Sequence, residues 1–249
     1  MNEVDVRTQT NGAAYRRKPV LRRLYADIYR QITAELAPGP TVEIGGGSGI
    51  FKEFAPAVIA TDIMPAPWLD LVADAQTLPF ASGSIGNLVA FDVLHHIEFP
   101  VRFFREAERV LAPGGRIILV EPGITPISGV FLRLFHEEPV RMKADPWHDG
   151  APDPGRDPFT SNQAIPTLML ARQRERFHQE FPGLTISQTR WMSLAAYPLS
   201  GGFQDWCLLP QAALTPLLTL ERWLLPVFGR LAAFRLFAVI ERRPSSGGR

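Results

Sequence analysis

The sequence predicts an α/β fold built on a doubly wound, mostly parallel sheet, and three observations carry that expectation. The first is Thr41-Val42-Glu43-Ile44-Gly45-Gly46-Gly47-Ser48-Gly49, a short apolar strand that breaks into a glycine-rich turn. The second is the alternation of apolar strands with helical patterns from that turn to Pro122. The third is Asp62, at the end of the next strand and about 20 residues beyond Glu43, where a doubly wound sheet places an acid for ribose hydroxyls.

Residues 1–18 are polar, end in Arg16-Arg17-Lys18, and are expected to be mobile or to act as a flap. Pro19 to Leu36 carries Leu21, Leu24, Tyr25, Ile28 and Ile32 at helical spacing, and Pro38-Gly39-Pro40 stops it. The first strand follows, and a helix is expected from about Ile50. Val58–Ile63, Leu69–Asp74 and Ile85–Phe91 read as the second, third and fourth strands. Pro100 opens an amphipathic helix to Leu111, ended by Ala112-Pro113-Gly114-Gly115, and Arg116–Pro122 is the fifth strand. A helix over 125–136, a Pro/Asp/Gly-rich loop over 137–166 and a mixed-charge helix from Leu168 to Phe181 come next. Leu184–Arg190 is the sixth strand, Pro198–Phe203 a turn, and Ala233–Glu241 the seventh strand. Residues 208–231 are strongly apolar but interrupted by Pro210, Pro216 and Pro226, and 244–249 is tail-like.

The glycine turn points to a nucleotide, because glycines let a ligand approach where a Cβ would collide. It does not match the dinucleotide fingerprint G-x-G-x-x-G, since Ile50 stands where the third glycine belongs. Gly-Lys-Ser and Gly-Lys-Thr are both absent, so the phosphate loop is not matched either. What remains is acidic-x-Gly-x-Gly-x-Gly. A carboxylate at Glu43 repels pyrophosphate and suits a cation; its alternative is to orient the turn through backbone N–H groups.

With Asp62, Asp74, the string Phe91-Asp92-Val93-Leu94-His95-His96 and the helix–Leu-x-Pro-Gly-Gly–strand passage, this stretch resembles motif I and its sequel in class I S-adenosylmethionine-dependent methyltransferases. The likeness is to the methyltransferase type 11, ubiquinone-biosynthesis-like group, and covers roughly residues 40–122. It implies a Rossmann-like sheet of seven strands, mostly parallel, with the seventh antiparallel between the fifth and sixth. It implies one domain over 1–249 with an N-terminal cap at 1–37 and an acceptor-side insert, or lid, at 125–183. S-adenosyl-L-methionine is the implied cofactor. Its expected contacts are Glu43, Gly45, Gly47 and Gly49 at the methionine end, Asp62 and Ile63 at the ribose, Asp74 and Ala75 at adenine, and Phe91 and Asp92 beside the sulfonium.

The acceptor is expected to be a small or lipid-linked metabolite methylated at O, N or C. His95 and His148 are the candidate bases for a hydroxyl acceptor. Glu137 and Glu138 are candidate acceptor contacts, and Tyr15 and Tyr25 have plain packing as their alternative. No metal site is expected, because adjacent residues on a regular helix cannot both face one ion and no H-x-x-x-H occurs. A non-catalytic scaffold that keeps the cofactor is the rival binding class. An NAD-dependent oxidoreductase is the rival enzyme class, disfavoured by the missing glycine and by the lack of a Tyr-x-x-x-Lys pair.

Composition excludes several classes. A net charge of +1 gives no steering towards nucleic acid. Cys207, the single cysteine, forbids an internal disulfide and reads as a core thiol. The polar start Met1-Asn2-Glu3-Val4-Asp5 is not a signal peptide, and no long uncharged apolar run spans a bilayer. A cytoplasmic protein is expected, with homodimerisation or peripheral membrane contact through 208–231 and Arg222, Arg230 and Arg235 at the edges of that stretch.

Overall fold

The computed structural model describes residues 6–244. Its strands are β1 (Thr41–Ile44), β2 (Ile59–Asp62), β3 (Leu71–Val72), β4 (Ile85–Phe91), β5 (Leu111–Pro122), β6 (Leu184–Met192) and β7 (Arg235–Arg242). They form one sheet in the order β3-β2-β1-β4-β5-β7-β6. β1 to β5 pair in parallel, and β7 runs antiparallel to both neighbours, as expected. The helices are α1 (Val6–Arg17), α2 (Pro19–Ala34), α3 (Pro100–Val110), α4 (Pro126–Phe135), α5 (Ile165–Thr167), α6 (Arg174–Glu180), α7 (Ala196–Ser200) and α8 (Gln211–Ala232).

The central strands are apolar on both faces because both are covered. Val42, Ile44, Leu88, Ala90, Ile117 and Leu119 share a core with Phe103, Phe104 and Ala107 of α3 and Phe177 of α6. Their alternates Val89, Ile118 and Val120 pack with Leu21, Tyr25, Ile28 and Ile32 of α2. Strand period 2 and helix period 3.6 thus meet on each side of the sheet.

Several expectations are corrected. The glycine turn leads not into a helix but into a single 3-10 turn, Ile50–Glu53. Pro56 disfavours helical backbone at Ala55, and β2 begins only three residues later. Ile50 and Phe51 still bury, with Phe51 stacked on Tyr29 at 5.1 Å. Within the stretch expected to be mobile or a flap, residues 6–17 form α1, which buries Gly12, Ala14 and Tyr15, with the Tyr15 hydroxyl 3.2 Å from Glu53; residues 1–5 lie outside the described residues. The Ala112–Gly115 segment belongs to β5, where its pairing with β4 slips register. The expected helix over 168–181 is a wide π turn, Leu168–Arg172, followed by the short α6. α8 runs unbroken through Pro216 and Pro226. Cys207 is exposed rather than in the core. Arg235 is not at an edge but buried at the start of β7. The 244–249 tail lies outside the described residues beyond Pro244.

Candidate functional site

The carboxyl ends of β1, β2, β3, β4 and β5 open on one cavity of about 380 Å³, the crevice where open α/β sheets take their ligands. Its floor is the glycine turn. Gly45 has φ +68° and a Cβ there would stand 2.4 Å from Val93 Cγ2; Gly49 has φ +71° and a Cβ would stand 2.6 Å from Trp68 Cδ1. No other residue type satisfies both the left-handed backbone and the close packing. The turn is tied to β2: Gly46 N donates to Thr61 O at 2.8 Å and Gly47 N to Asp62 Oδ2 at 2.9 Å. The Trp68 indole donates to Gly47 O at 2.7 Å.

Three carboxylates face this floor. Asp62 takes Gly47 N on one oxygen and Met64 N on the other, which leaves each oxygen a second lone pair. Asp74 accepts from Gln76 N at 2.8 Å in a turn; no helix follows it. Glu43 is buried, and its Oε2 has no hydrogen-bond partner. Burial, reinforced by the nearby Asp62 charge and only partly offset by Lys52, pushes the Glu43 carboxyl up to about 8. An unpartnered buried carboxyl beside a cavity is costly unless a ligand satisfies it.

An aromatic wall comes from α2 and the end of β4. Tyr25 stacks on Phe91 at 4.9 Å, and Tyr25, Tyr29, Phe91, Tyr197 and Phe203 line the cavity. Asp92 adopts φ +58° at the strand end. Its two oxygens take a fork from Arg235, at 2.6 and 2.9 Å. That guanidinium is 3% exposed and lies over Tyr197 at 4.1 Å. The Asp92 side chain therefore serves Arg235, and Arg235 is a cavity residue that no sequence motif marked.

Across the cavity stands a second polar group. Leu94–His96 is a 3-10 turn whose backbone start is held by Glu121, a fully buried residue of β5. Glu121 Oε1 accepts from Val93 N and Leu94 N, and Oε2 lies 2.7 Å from His95 Nδ1. His95 Nε2 is 3.3 Å from Glu138 Oε2 and His96 Nε2 is 3.9 Å from Glu138 Oε1. The His95 and His96 rings are 4.2 Å apart, so the argument that neighbours on a regular helix diverge does not apply here. Burial disfavours a charged His95, but Glu121 and Glu138 outweigh it and lift its pKa to about 10. Burial and then the His95 charge lower His96 to about 4. Burial raises Glu138, but His95, His96 and Gln163 together outweigh it and lower its pKa to about 2.

Of the residues expected at the site, Glu43, Gly45, Gly47, Asp62, Ile63, Asp74, Ala75, Phe91, Asp92 and His95 line the cavity; Gly49 shapes the turn without lining it. His148 is exposed, packs on Phe99 at 5.7 Å and does not line the cavity. Glu137 is exposed and Tyr15 is core; neither lines it. His95 faces the cavity with Nδ1 held by Glu121 at 2.7 Å and Nε2 directed at Glu138 at 3.3 Å. Arg235, Glu121, His136 and Tyr197 were missed, since each lies far along the chain from motif I.

Residues 42–119 match a family profile described as a methyltransferase domain. Over 62 residues the chain is 42% identical to an uncharacterized 37.1 kDa protein in transposon TN4556 of Streptomyces fradiae. That match covers 25% of this chain and 18% of the relative's length. A SAM-dependent methyltransferase from Archaeoglobus fulgidus superposes with a TM-score of 0.53 at 13% identity, over 90% of this chain and 94% of that one. Geranyl diphosphate C-methyltransferase from Streptomyces coelicolor, solved with Mg2+, geranyl diphosphate and S-adenosyl-L-homocysteine, gives 0.50 at 12% identity, over 89% and 80%. Both superpositions show the fold.

Proposed function

We propose, starting from the match of residues 42–119 to a methyltransferase domain, that the chain is a class I methyltransferase that transfers a methyl group from S-adenosyl-L-methionine to a small or lipid-linked acceptor. The observation that carries this reading is Glu43, an orphaned buried carboxyl beside the glycine turn. The cofactor's α-ammonium supplies the missing donor, and the two acids downstream have free acceptor capacity for ribose hydroxyls at Asp62 and the adenine amino group at Asp74. Ile63 and Ala75 flank those contacts, and Phe91 forms the wall at the reacting end.

The bound cofactor supplies an activated methyl carbon, so this chain's residues position, desolvate and neutralise. Tyr25, Tyr29, Phe91 and Phe203 exclude water from the reacting end, where loss of sulfonium charge favours a low-dielectric wall. Asp92 holds Arg235, and Arg235 lies over Phe91 and Tyr197 to fix that wall. His95 turns Nε2 towards Glu138 and the acceptor side. Calorimetric titration with S-adenosylmethionine and S-adenosylhomocysteine tests the reading; absence of binding for both at millimolar levels refutes it. Binding of both without turnover on any acceptor supports the scaffold.

A lipid-linked acceptor has a specific observation in its favour. α4 and α8 expose Ile127, Val130, Leu134, Phe135, Trp223 and Val227. Arg133, Arg222 and Arg230 are exposed on the same helices, while their one acid, Glu221, is buried and accepts from Ala195 N and Ala196 N. An apolar and cationic face suits an anionic bilayer surface. Leu132 of α4 and the adjoining Phe234 reach the cavity, so the face leads to the acceptor side. No described helix is long and apolar enough to cross a membrane. Co-sedimentation with phosphatidylglycerol vesicles is expected and should be lost in Trp223→Glu. Equal recovery with and without vesicles, or a concentration-dependent dimer that hides this face, sinks the membrane reading.

A further inference from the structure

We infer that His95, His96 and Glu138 form a three-ligand site for a divalent first-row transition ion on the acceptor side of the cavity, with Glu121 orienting His95. The inference rests on the methyl-transfer reading only for what the ion would do, not for whether it binds. One ligand atom from each of the three residues lies within 4.8 Å of the other two. All three residues line the cavity, so coordination positions left by the protein face the space where an acceptor would lie.

Four details favour an ion over a plain salt bridge. First, the His95 Nε2 to Glu138 separation is 3.3 Å, longer than the ~2.7–2.9 Å of a charge-assisted N–H···O bond. Two ligands each about 2.0–2.1 Å from a tetrahedral ion stand roughly 3.3 Å apart. Second, His96 presents Nε2 to the same carboxylate, 3.9 Å away, while its Nδ1 is occupied by Phe159 O at 3.2 Å. Nε2 is thereby left as the acceptor nitrogen. Third, His95 Nδ1 is held by the buried Glu121 at 2.7 Å. A carboxylate behind a histidine is the usual support of a metal-ligating imidazole, fixing its orientation and raising its basicity. Fourth, Glu121 also caps the turn through Val93 N and Leu94 N, which sets both imidazoles before any ion arrives.

Two imidazoles and one carboxylate with open positions suit zinc, iron(II), cobalt or manganese. At an open position, an acceptor oxygen would be ligated directly and lose its proton more readily. That would remove the need for a side-chain base.

The test uses the full chain stripped with chelator and titrated with Co2+, read by visible d–d absorption. The expected result is one equivalent bound with tetrahedral or five-coordinate bands, displaced by Zn2+. Glu121→Gln should weaken binding by about 10–100-fold. His96→Ala and Glu138→Gln should weaken it further, with circular dichroism showing that each is folded. His148→Ala and Cys207→Ser should leave the bands unchanged. Absence of stoichiometric bands in the wild type, or bands that survive in both His96→Ala and Glu138→Gln, overturns the site. S-adenosylhomocysteine binding is measured in parallel: Co2+ failure with cofactor binding intact refutes the metal site alone, and the converse refutes the methyl-transfer reading alone.

Discussion

At the scale of single residues, Glu43 makes a prediction with a definite sign. Its folded pKa of about 8 stands above the ordinary carboxyl value of 4.5, so the native state binds a proton that the unfolded state releases between those values. Stability contributed by the neutral form is full below about 4.5 and is lost as pH rises through 8. A cationic ligand favours the carboxylate, so cofactor binding should expel a proton below pH 8 and tighten as pH rises from 6 to 8. Calorimetry in buffers of different ionisation enthalpy reads that proton, and Glu43→Gln should abolish both the release and the pH trend. A binding enthalpy independent of buffer would contradict the assignment. Gly45→Ala adds a Cβ 2.4 Å from Val93 Cγ2 at a left-handed position. A loss of about 2 kcal/mol or more in denaturant melts is expected, together with loss of cofactor binding.

At the scale of elements, the α3–β5 layer is the mechanical core. Phe104 is fully buried, edge-to-face with Phe177 at 4.9 Å, and Phe104→Ala should cost about 3–5 kcal/mol by urea titration. The start of β7 depends on a buried ion pair. Arg235→Ala leaves Asp92 unpaired and should destabilise by about 3 kcal/mol or more. Arg235→Lys should recover little, because an ammonium cannot reproduce the two-pronged geometry. These elements also show what local sequence could reveal. β1, β4 and the apolar centres of β5 and β7 were readable because both faces are buried and the runs are unbroken. α1 was not, because its polar pattern gives no stripe and its order comes from Tyr15 reaching Glu53. The join of His95 with Glu138 was not either: the two residues belong to different motifs, brought together by the return of the chain after α4. Pro216 and Pro226 misled in the opposite direction, since α8 continues through both despite the hydrogen bonds they remove.

At the scale of the whole molecule, both N-terminal helices contribute to the cavity wall. Thr8 and Asn11 of α1 line the cavity, as do Tyr25 and Tyr29 of α2. Between the helices, the buried Lys18 donates to the carbonyls of Gly202, Gln204 and Trp206 at 2.7, 3.0 and 2.8 Å. α1 buries far less than α2, so its amides should exchange faster in the free protein and slow on S-adenosylhomocysteine binding. Unchanged exchange across residues 6–17 would separate α1 from ligand binding. The short turn at Ile50–Glu53 has a consequence for selectivity. A full helix there would aim a fractional positive pole at the glycine loop, and with a glycine floor that pole is what welcomes diphosphates. Truncated to one turn, the loop offers no such pole. Dinucleotides of the NAD type should therefore find a poorer diphosphate seat here than on a loop that opens a full helix.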